Sequence, residues 1–245
     1  MIRLCTDAAT LNAVPADTVP GLKLRGLLAA YGTGWDFLPF WQDEQGGAGG
    51  RLSGTAVACP TPDTREEWAC FLAMQPDVRQ VETDPDTAAC LIPLGFKAIY
   101  RPVLALPALE AAPLTDAPPL SALYPLLTEV FGKNALPPFD VWYTDISHRL
   151  RHGCGRAAGV LRDSRLCSCA LVTAECEDAG LISGVATHPD YRGQGLAKTT
   201  VAALANALRA EGKRACICPK NEAADRLYRR WGAVETGTLA ILTRE

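Results

Sequence analysis

One short pattern occurs twice in the chain and constrains the fold more than any other feature. Between residues 213 and 242 the hydrophobic pattern predicts a buried strand, a helix and a last strand. When Gly95 is laid on Gly232, an offset of 232 − 95 = 137, Asp84 falls on Asn221 without a gap. Asp and Asn are residue types that cap helix N-termini, so each is placed to begin a short helix. A duplicated strand, helix and strand unit explains the match.

The residues around each copy predict further elements. In the second half, two apolar runs flank Asp163-Ser164 as a hairpin, and a later segment places apolar residues at steps of three and four, as a long helix does. In the first half, a hairpin with a glycine-rich turn at 46–50 precedes a shorter version of the same series. We predict strands at 155–163, 165–174, 179–189, 213–219 and 233–242 and helices at 121–132, 196–212 and 221–232 in the second half, and in the first half hairpin strands within 35–44 and 51–60, helices at 66–74 and 85–95, and strands at 78–84 and 96–106.

A proline- and alanine-rich seam at 109–123 interrupts the pattern between the two halves. The 245 residues are enough for two small cores, since a typical domain has about 100 to 150 residues. We therefore predict two domains, residues 1–112 and 113–245. The mixture of hairpins with strand, helix and strand units predicts an α+β (mixed α/β) fold, with a central mixed, mostly antiparallel sheet flanked by helices.

The charge balance narrows the class of partner. The formal net charge is −3 and no block of Lys or Arg occurs, which argues against a nucleic-acid or anionic-membrane binder and favours a small molecule. No apolar run has the length of a signal-peptide core or of a membrane span, so we expect a cytoplasmic protein. The ten cysteines are scattered without a C-x-x-C pair, so we expect reduced thiols and no metal site. We expect a monomer or a homodimer.

The stretch HPDYRGQGLAKTT, residues 188–200, joins a predicted strand to the long helix. The first N–H groups of a helix lack internal partners and lie at the positive end of its dipole, and Gly193 and Gly195 let a ligand approach the backbone closely. Arg192 adds a donor suited to phosphate, so a diphosphate fits this junction. The two glycines by themselves also suit a plain tight turn. The first half has no such stretch, so we expect anion binding in the second half alone.

Residues 185–197 resemble the acyl-CoA-binding segment of the GNAT-type N-acetyltransferases. That segment has Arg or Gln, two residues of any type, Gly, any residue, and then Gly or Ala, and Arg192, Gly195 and Ala197 fill its fixed places. The family's next segment is matched in the right order by Asn221, Ala224, Leu227, Tyr228 and Gly232. The resemblance covers roughly residues 120–245. It implies a tandem GNAT-like fold whose N-terminal copy is degenerate.

The resemblance also implies roles for individual residues, with acetyl-CoA as cosubstrate. The backbone of three strand residues is expected to pair with the pantetheine arm, and an N–H near Val185 or Ala186 is expected to meet the thioester oxygen. Tyr228 is placed to protonate the departing thiolate, although a helical tyrosine by itself suggests packing. Asn221 either reaches the cofactor or only caps its helix. The expected cofactor-binding residues are Val185, Ala186, Thr187, Arg192, Gly193, Gln194, Gly195, Leu196, Ala197 and Asn221.

The general base is not identified by the sequence. Many relatives carry Glu or His on the strand that here contains Ser183 as its only interior polar residue. The acidic cluster at 175–178 is a candidate that acts through water, or else a solvated surface. His188 is expected to be an exposed loop residue.

The acceptor wall is expected in the segments 121–132 and 139–153, with Trp142 and Tyr143 either as apolar walls or as ordinary core aromatics. Two functions follow from the sequence. The first is an acetyl-CoA-dependent N-acetyltransferase that acts on a primary amine of a small-molecule or amino-acid-like acceptor by direct attack in a ternary complex. The alternative is a catalytically lapsed CoA-binding regulatory module.

Overall fold

The computed structural model describes residues 1–111 and 118–244 and divides into two compact units. Unit 1 comprises Met1–Leu104, Cys218–Asp225 and the C-terminal residues from Glu235. Unit 2 comprises Ala105–Ile217 and Arg226–Val234. The domain boundary that we predict between residues 112 and 113 falls outside the described residues. The end of the chain thus packs with the N-terminal residues.

The helices and strands match the predicted elements closely in the second half. The first half contains further elements that the sequence did not predict. In chain order they are β1 (Arg3–Leu4), α1 (Ala8–Asn12), α2 (Val19–Tyr31), β2 (Phe40–Gln42), β3 (Ala48–Leu52), β4 (Thr55–Cys59), α3 (Arg65–Met74), β5 (Gln80–Thr83), α4 (Pro85–Leu91), β6 (Phe96–Ala105), α5 (Leu120–Phe131), α6 (Phe139–Arg151), β7 (Arg156–Arg162), β8 (Arg165–Glu175), β9 (Ala179–Thr187), α7 (Leu196–Ala210), β10 (Arg214–Ile217), α8 (Glu222–Arg230) and β11 (Val234–Arg244). Among the described helices, none is long and apolar enough to cross a membrane.

The sheet of unit 1 has the strand order β1-β2-β3-β4-β5-β11-β6. Strands β4 and β5 run parallel, whereas β11 runs antiparallel to β5 with Ala240 opposite Thr83. The core beneath this sheet includes Trp68 from α3, Leu91 from α4 and Leu242 from β11, all fully buried. The last strand of the chain therefore completes the first core.

The glycine-rich run at 46–50 is not the turn that we predict from the sequence. The turn lies at 43–47, where the Asp43 N–H donates to the Gly47 carbonyl, and the following residues form β3. A Cβ on Gly49 would lie 2.7 Å from Trp68, and one on Gly50 would lie 2.8 Å from Phe40. These two glycines are needed because aromatic rings pack directly against the strand.

The sequence pattern also missed the helix α2. Thr18 caps its N-terminus, since the hydroxyl oxygen of Thr18 accepts a hydrogen bond from the Gly21 N–H at 3.2 Å. Buried residues occur all around this helix rather than along one stripe, among them Leu22, Leu24 and Leu28. A helix without a polar face has no amphipathic period to detect.

The sheet of unit 2 has the strand order β10-β9-β8-β7. The hairpin of β7 and β8 turns at Asp163 and Ser164, whose φ angles of 50° and 62° lie in the left-handed region, as we predict. Helix α7 packs closely on β9, because a Cβ on Gly180 would lie 2.7 Å from the Leu208 side chain. The expected mixed, mostly antiparallel sheet flanked by helices is confirmed.

The duplicated series is present in the order of the elements. The chain runs β4-α3-β5-α4 in the first half and β9-α7-β10-α8 in the second, and each series begins with a strand parallel to its third element. The connection from β4 to α3, residues 60–64, contains no glycine and is closed by Thr61 and Thr64, whose hydroxyl oxygens lie 3.1 Å apart. The first copy therefore lacks the loop that distinguishes the second.

Candidate functional site

Strand β9 changes its pairing on both edges at Ser183. Its parallel pairing with β10 covers Ala179–Ile182 and ends there. Along its other edge, Leu171 lies opposite Ser183 and Cys169 opposite Ala186, so two steps along β8 oppose three along β9. The extra residue makes a β-bulge, and Gly184 within it has a φ of +58°. The bulge lies between the part of β9 that pairs with β10 and Val185–Thr187, which pair with β8 alone and lie beyond the end of β10.

A glycine loop connects β9 to α7. A 3₁₀ turn at Pro189–Tyr191 is followed by Arg192 in an extended conformation, and both Gly193 and Gly195 have a φ of +77°. Gly195 is the N-cap residue of α7, so the unpaired first amides of that helix begin directly after it. A Cβ on either glycine would meet no atom within 4 Å. These glycines serve the backbone conformation and leave open space beside the helix terminus.

Basic side chains hold and flank this loop. The Arg192 Nε donates to the Thr187 carbonyl at 3.2 Å, and a terminal nitrogen of Arg162 donates to the Gln194 side chain at 2.7 Å. Arg162 ends β7 and was not among the residues expected from the sequence. Only the pairing of β7 with β8 brings it close, so no local signal could have found it. A diphosphate suits this positively charged junction, and the residues present fit one.

His188 is buried, with 6% of its surface exposed, so the expectation of an exposed loop residue is wrong. Its Nδ1 accepts a hydrogen bond from the Asp190 N–H at 3.2 Å, which caps the 3₁₀ turn. Its Nε2 lies 2.9 Å from a carboxylate oxygen of Glu129 on α5 and 2.5 Å from a guanidinium nitrogen of Arg165 on β8. The ring therefore connects the start of the glycine loop to two other elements of unit 2.

Tyr228 lies in α8 and is buried in unit 2, where its ring packs at 5.4 Å from that of Trp231. Burial raises the pKa of the Tyr228 hydroxyl to about 12, because the phenolate would lose its hydration. The side chain therefore stays protonated throughout the neutral range. Its role as a proton donor remains a prediction.

Asn221 precedes α8 and acts as its cap. Its side-chain oxygen accepts a hydrogen bond from the Ala224 N–H at 2.9 Å. This is the helix-capping role that the repeat predicts for it. A contact of Asn221 with a cofactor remains a prediction.

Glu175, one of the acidic candidates for a general base, lies in a buried ion-pair cluster. Glu175 is only 2% exposed, so it is not part of a solvated surface. Arg156 donates to both carboxylate oxygens, at 2.5 Å to Oε1 and 2.9 Å to Oε2, and Lys213 donates to Oε1 at 2.7 Å. Burial alone would raise the pKa of Glu175, but these cations outweigh it and lower the pKa. Glu175 pairs with Gly180 at the far end of β9 from the bulge, and it holds an ion-pair cluster.

Ser183 pairs with another hydroxyl at the bulge. Its Oγ lies 2.8 Å from the Thr173 Oγ1, with either atom as donor. Within the described residues, no group of His, Cys, Asp and Glu side chains could hold a metal ion. No side chain here is identified as the base.

The aromatic residues of α5 and α6 divide into core and surface. Trp142 is buried, and its ring lies 5.3 Å from that of Tyr124. Phe139 and Tyr143 are exposed, and their tilted rings lie 5.4 Å apart. Of the two aromatics named from the sequence, Trp142 therefore belongs to the core and Tyr143 lies at the surface.

Comparison with known proteins finds similarity to GNAT acetyltransferases. Residues 120–233 match the model described as the acetyltransferase (GNAT) family. The structure is similar to a GCN5-related N-acetyltransferase from Kribbella flavida, with 21% identity, a TM-score of 0.62 and coverage of 95% of this chain and 96% of that one. It is also similar to a tandem GNAT protein from the clavulanic acid biosynthesis pathway, with 16% identity, a TM-score of 0.61 and coverage of 100% and 98%. A search of the curated proteins finds no match to the sequence.

The structure has a GNAT fold, and the similarity to a tandem GNAT protein extends over the whole chain. The part of the chain that matches the GNAT acetyltransferase family is residues 120–233. Since the solved structures are less than 25% identical to this chain, they establish the fold alone.

Proposed function

We propose that unit 2 transfers an acetyl group from acetyl-CoA to a primary amine of a small-molecule or amino-acid-like acceptor. The observation that carries this proposal is the loop at 192–197. Two glycines with positive φ lead directly into the N-terminus of α7, with no atom within 4 Å of where either Cβ would lie. Main-chain N–H groups at a helix N-terminus bind phosphate oxygens, and Arg192 adds a cation.

The bulged strand supplies the second part of the proposed site. The main chain of Val185, Ala186 and Thr187 binds the pantetheine arm beyond the end of the β9 and β10 pairing. A backbone N–H near Val185 or Ala186 stabilises the oxygen that becomes negative when the amine attacks the thioester carbon. The Gly184 bulge sets the direction of these groups. Leu196 and Ala197 contribute the first amides of α7, and Gln194 stays fixed by Arg162.

Tyr228 is the proposed general acid. The amine nitrogen forms a bond to the carbonyl carbon, the carbon–sulfur bond breaks, and the phenol gives its proton to the departing thiolate. The raised pKa of about 12 keeps Tyr228 protonated at neutral pH, and the proton moves as the carbon–sulfur bond breaks. The phenolate left behind regains a proton from solvent. The proton lost by the amine passes to solvent, because no side chain of the site is assigned as its acceptor.

A second candidate function is a CoA-binding regulatory module without catalysis. It is favoured by β9, whose interior polar side chain Ser183 is engaged with Thr173 and which carries no Glu or His. Such a module would use the same loop and the same strand. The two functions differ in turnover alone.

A thiol-release assay separates the two functions. The full chain is incubated with acetyl-CoA and a panel of primary amines, with calorimetric titration of acetyl-CoA in parallel. Amine-dependent release of CoA above the hydrolysis background supports the enzyme. Binding without release supports the regulatory module, and the absence of both removes the proposal.

The remaining partner assignments are also proposals. We expect a small-molecule acceptor, no nucleic-acid or membrane partner, a monomer or homodimer, and a cytoplasmic location. The net charge of −3 supports the first two of these.

A further inference from the structure

His188 occupies a junction that the proposed chemistry does not use. It follows the last residue of β9, and its own N–H donates to the Cys167 carbonyl at 2.9 Å, which fixes its backbone to β8. Its carbonyl accepts from the Tyr191 N–H at 3.0 Å, closing the turn that leads to Arg192. Hydrogen bonds of its own N–H and carbonyl therefore fix the backbone of His188 independently of its side chain.

The contacts of Nδ1 with the Asp190 N–H and of Nε2 with Glu129 favour one tautomer of the ring. Because Nδ1 accepts from the Asp190 N–H at 3.2 Å, the proton of the neutral ring lies on Nε2. That N–H then donates to the Glu129 carboxylate at 2.9 Å. This tautomer satisfies the contacts with the Asp190 N–H and with Glu129, whereas the opposite one satisfies the approach of Arg165 and turns Nδ1–H toward an Asp190 carboxylate oxygen 3.6 Å away.

We propose that His188 is a positioning residue for the glycine loop, holding the turn at 189–191 through Nδ1 and anchoring it to α5 through Glu129. A ring that accepts from a main-chain N–H inside a turn does what Asn or Asp does at an N-cap. The turn sets where Arg192 and the two glycines begin. Part of this inference rests on the proposed function, since the ligand of the loop is taken to be acetyl-CoA.

The first test uses the ligand-free protein and so does not depend on that function. Nitrogen chemical shifts of the His188 ring should show the tautomer with the proton on Nε2. The Asp190 amide should exchange slowly in the wild type and at least about tenfold faster in His188→Ala, because a cap is lost. His188→Asn should restore the protection, since Asn is a favoured cap. The opposite tautomer, or equal exchange in all three proteins, overturns the inference.

The second test measures the effect on the ligand. In His188→Ala the Kd for acetyl-CoA should rise about tenfold while kcat at saturating acetyl-CoA changes less than about twofold, and His188→Asn should recover the affinity. Glu129→Ala should weaken binding in the same direction, without adding to His188→Ala, because both act through one ring. The matched control is His152→Ala, an exposed histidine after α6, which should bind as the wild type does.

The outcomes separate the two proposals. Wild-type protein that binds no acetyl-CoA removes the proposed function, and the exchange measurement then still decides the role of His188. If the wild type binds acetyl-CoA and His188→Ala binds it equally well, His188 does not position the loop. An Asn variant as weak as the Ala variant shows that the cap is not what the ring contributes, and this also overturns the inference.

Discussion

The Gly195→Asp substitution tests whether the loop binds an anion without preventing the loop from folding. Gly195 has a φ of +77° and a ψ of 0°, and its Cβ position is open to at least 4 Å. The Gly195→Asp change therefore creates no clash, and the left-handed conformation costs about 1 kcal/mol for a residue with a Cβ. A negative charge before the first turn of α7 returns about 0.3 to 1 kcal/mol through the helix dipole.

The two terms nearly cancel, so the free energy of unfolding should change by less than about 1 kcal/mol. For a chain of this size that is a shift of Tm of no more than about 2 to 4 °C. Binding should change far more. Two like charges about 4 Å apart near a protein surface repel by about 4 kcal/mol, and even part of this lowers the affinity for acetyl-CoA at least about 100-fold.

Thermal unfolding and calorimetric titration with acetyl-CoA measure the two quantities on the same preparation. The matched control is Gly195→Asn, which has the same size, tolerates the left-handed conformation and carries no charge. It should lose no more than about tenfold in affinity. A folded Gly195→Asp protein that binds acetyl-CoA as the wild type does would refute the assignment of the diphosphate to this loop.

Four further predictions concern the general acid, the strand and the ion-pair cluster. Tyr228→Phe should lower kcat by at least about 100-fold with little change in acetyl-CoA affinity, and equal kinetics would remove Tyr228 from the reaction. Because burial raises its folded pKa to about 12 from an unfolded value near 10, the wild type should lose about 2 to 3 kcal/mol of stability between pH 10 and 12 that the Phe variant does not lose, as denaturant unfolding at each pH would show. Gly184→Ala, at a φ of +58° with its Cβ 3.2 Å from Leu171, should reduce turnover strongly while lowering Tm only slightly. Unchanged turnover would contradict the proposed role of the bulge in orienting the site. Glu175→Gln should destabilise the protein by about 3 kcal/mol in chemical unfolding, because Arg156 loses its buried anion, while acetyl-CoA affinity stays the same; a loss of affinity would return Glu175 to the site.

The elements of the second half could be predicted because each has a local cause. Asp163 and Ser164 form the hairpin turn, Gly212 follows the end of α7 with a positive φ, and Asn221 caps α8. The glycine loop is likewise local, since the main-chain N–H groups and Arg192 that we propose to bind phosphate are adjacent in the chain. These features need no knowledge of distant contacts.

Features that depend on distant contacts could not be predicted. His188 is buried because Glu129 and Arg165 approach it from other elements, and Glu175 is paired because β7 and the residue before β10 bring Arg156 and Lys213 to it. A sequence pattern alone presents each of them as a solvated polar residue.

The sequence by itself determined the repeated strand and helix series, the loop at 192–197 and the difference between the two copies. Only the tertiary structure decided that part of the glycine-rich run at 46–50 belongs to strand β3 and that β11, the last strand of the chain, joins the core of unit 1. The physical reason is range. Capping, turn formation and helix-end electrostatics act within a few residues, whereas strand pairing and burial depend on which surfaces meet across the fold.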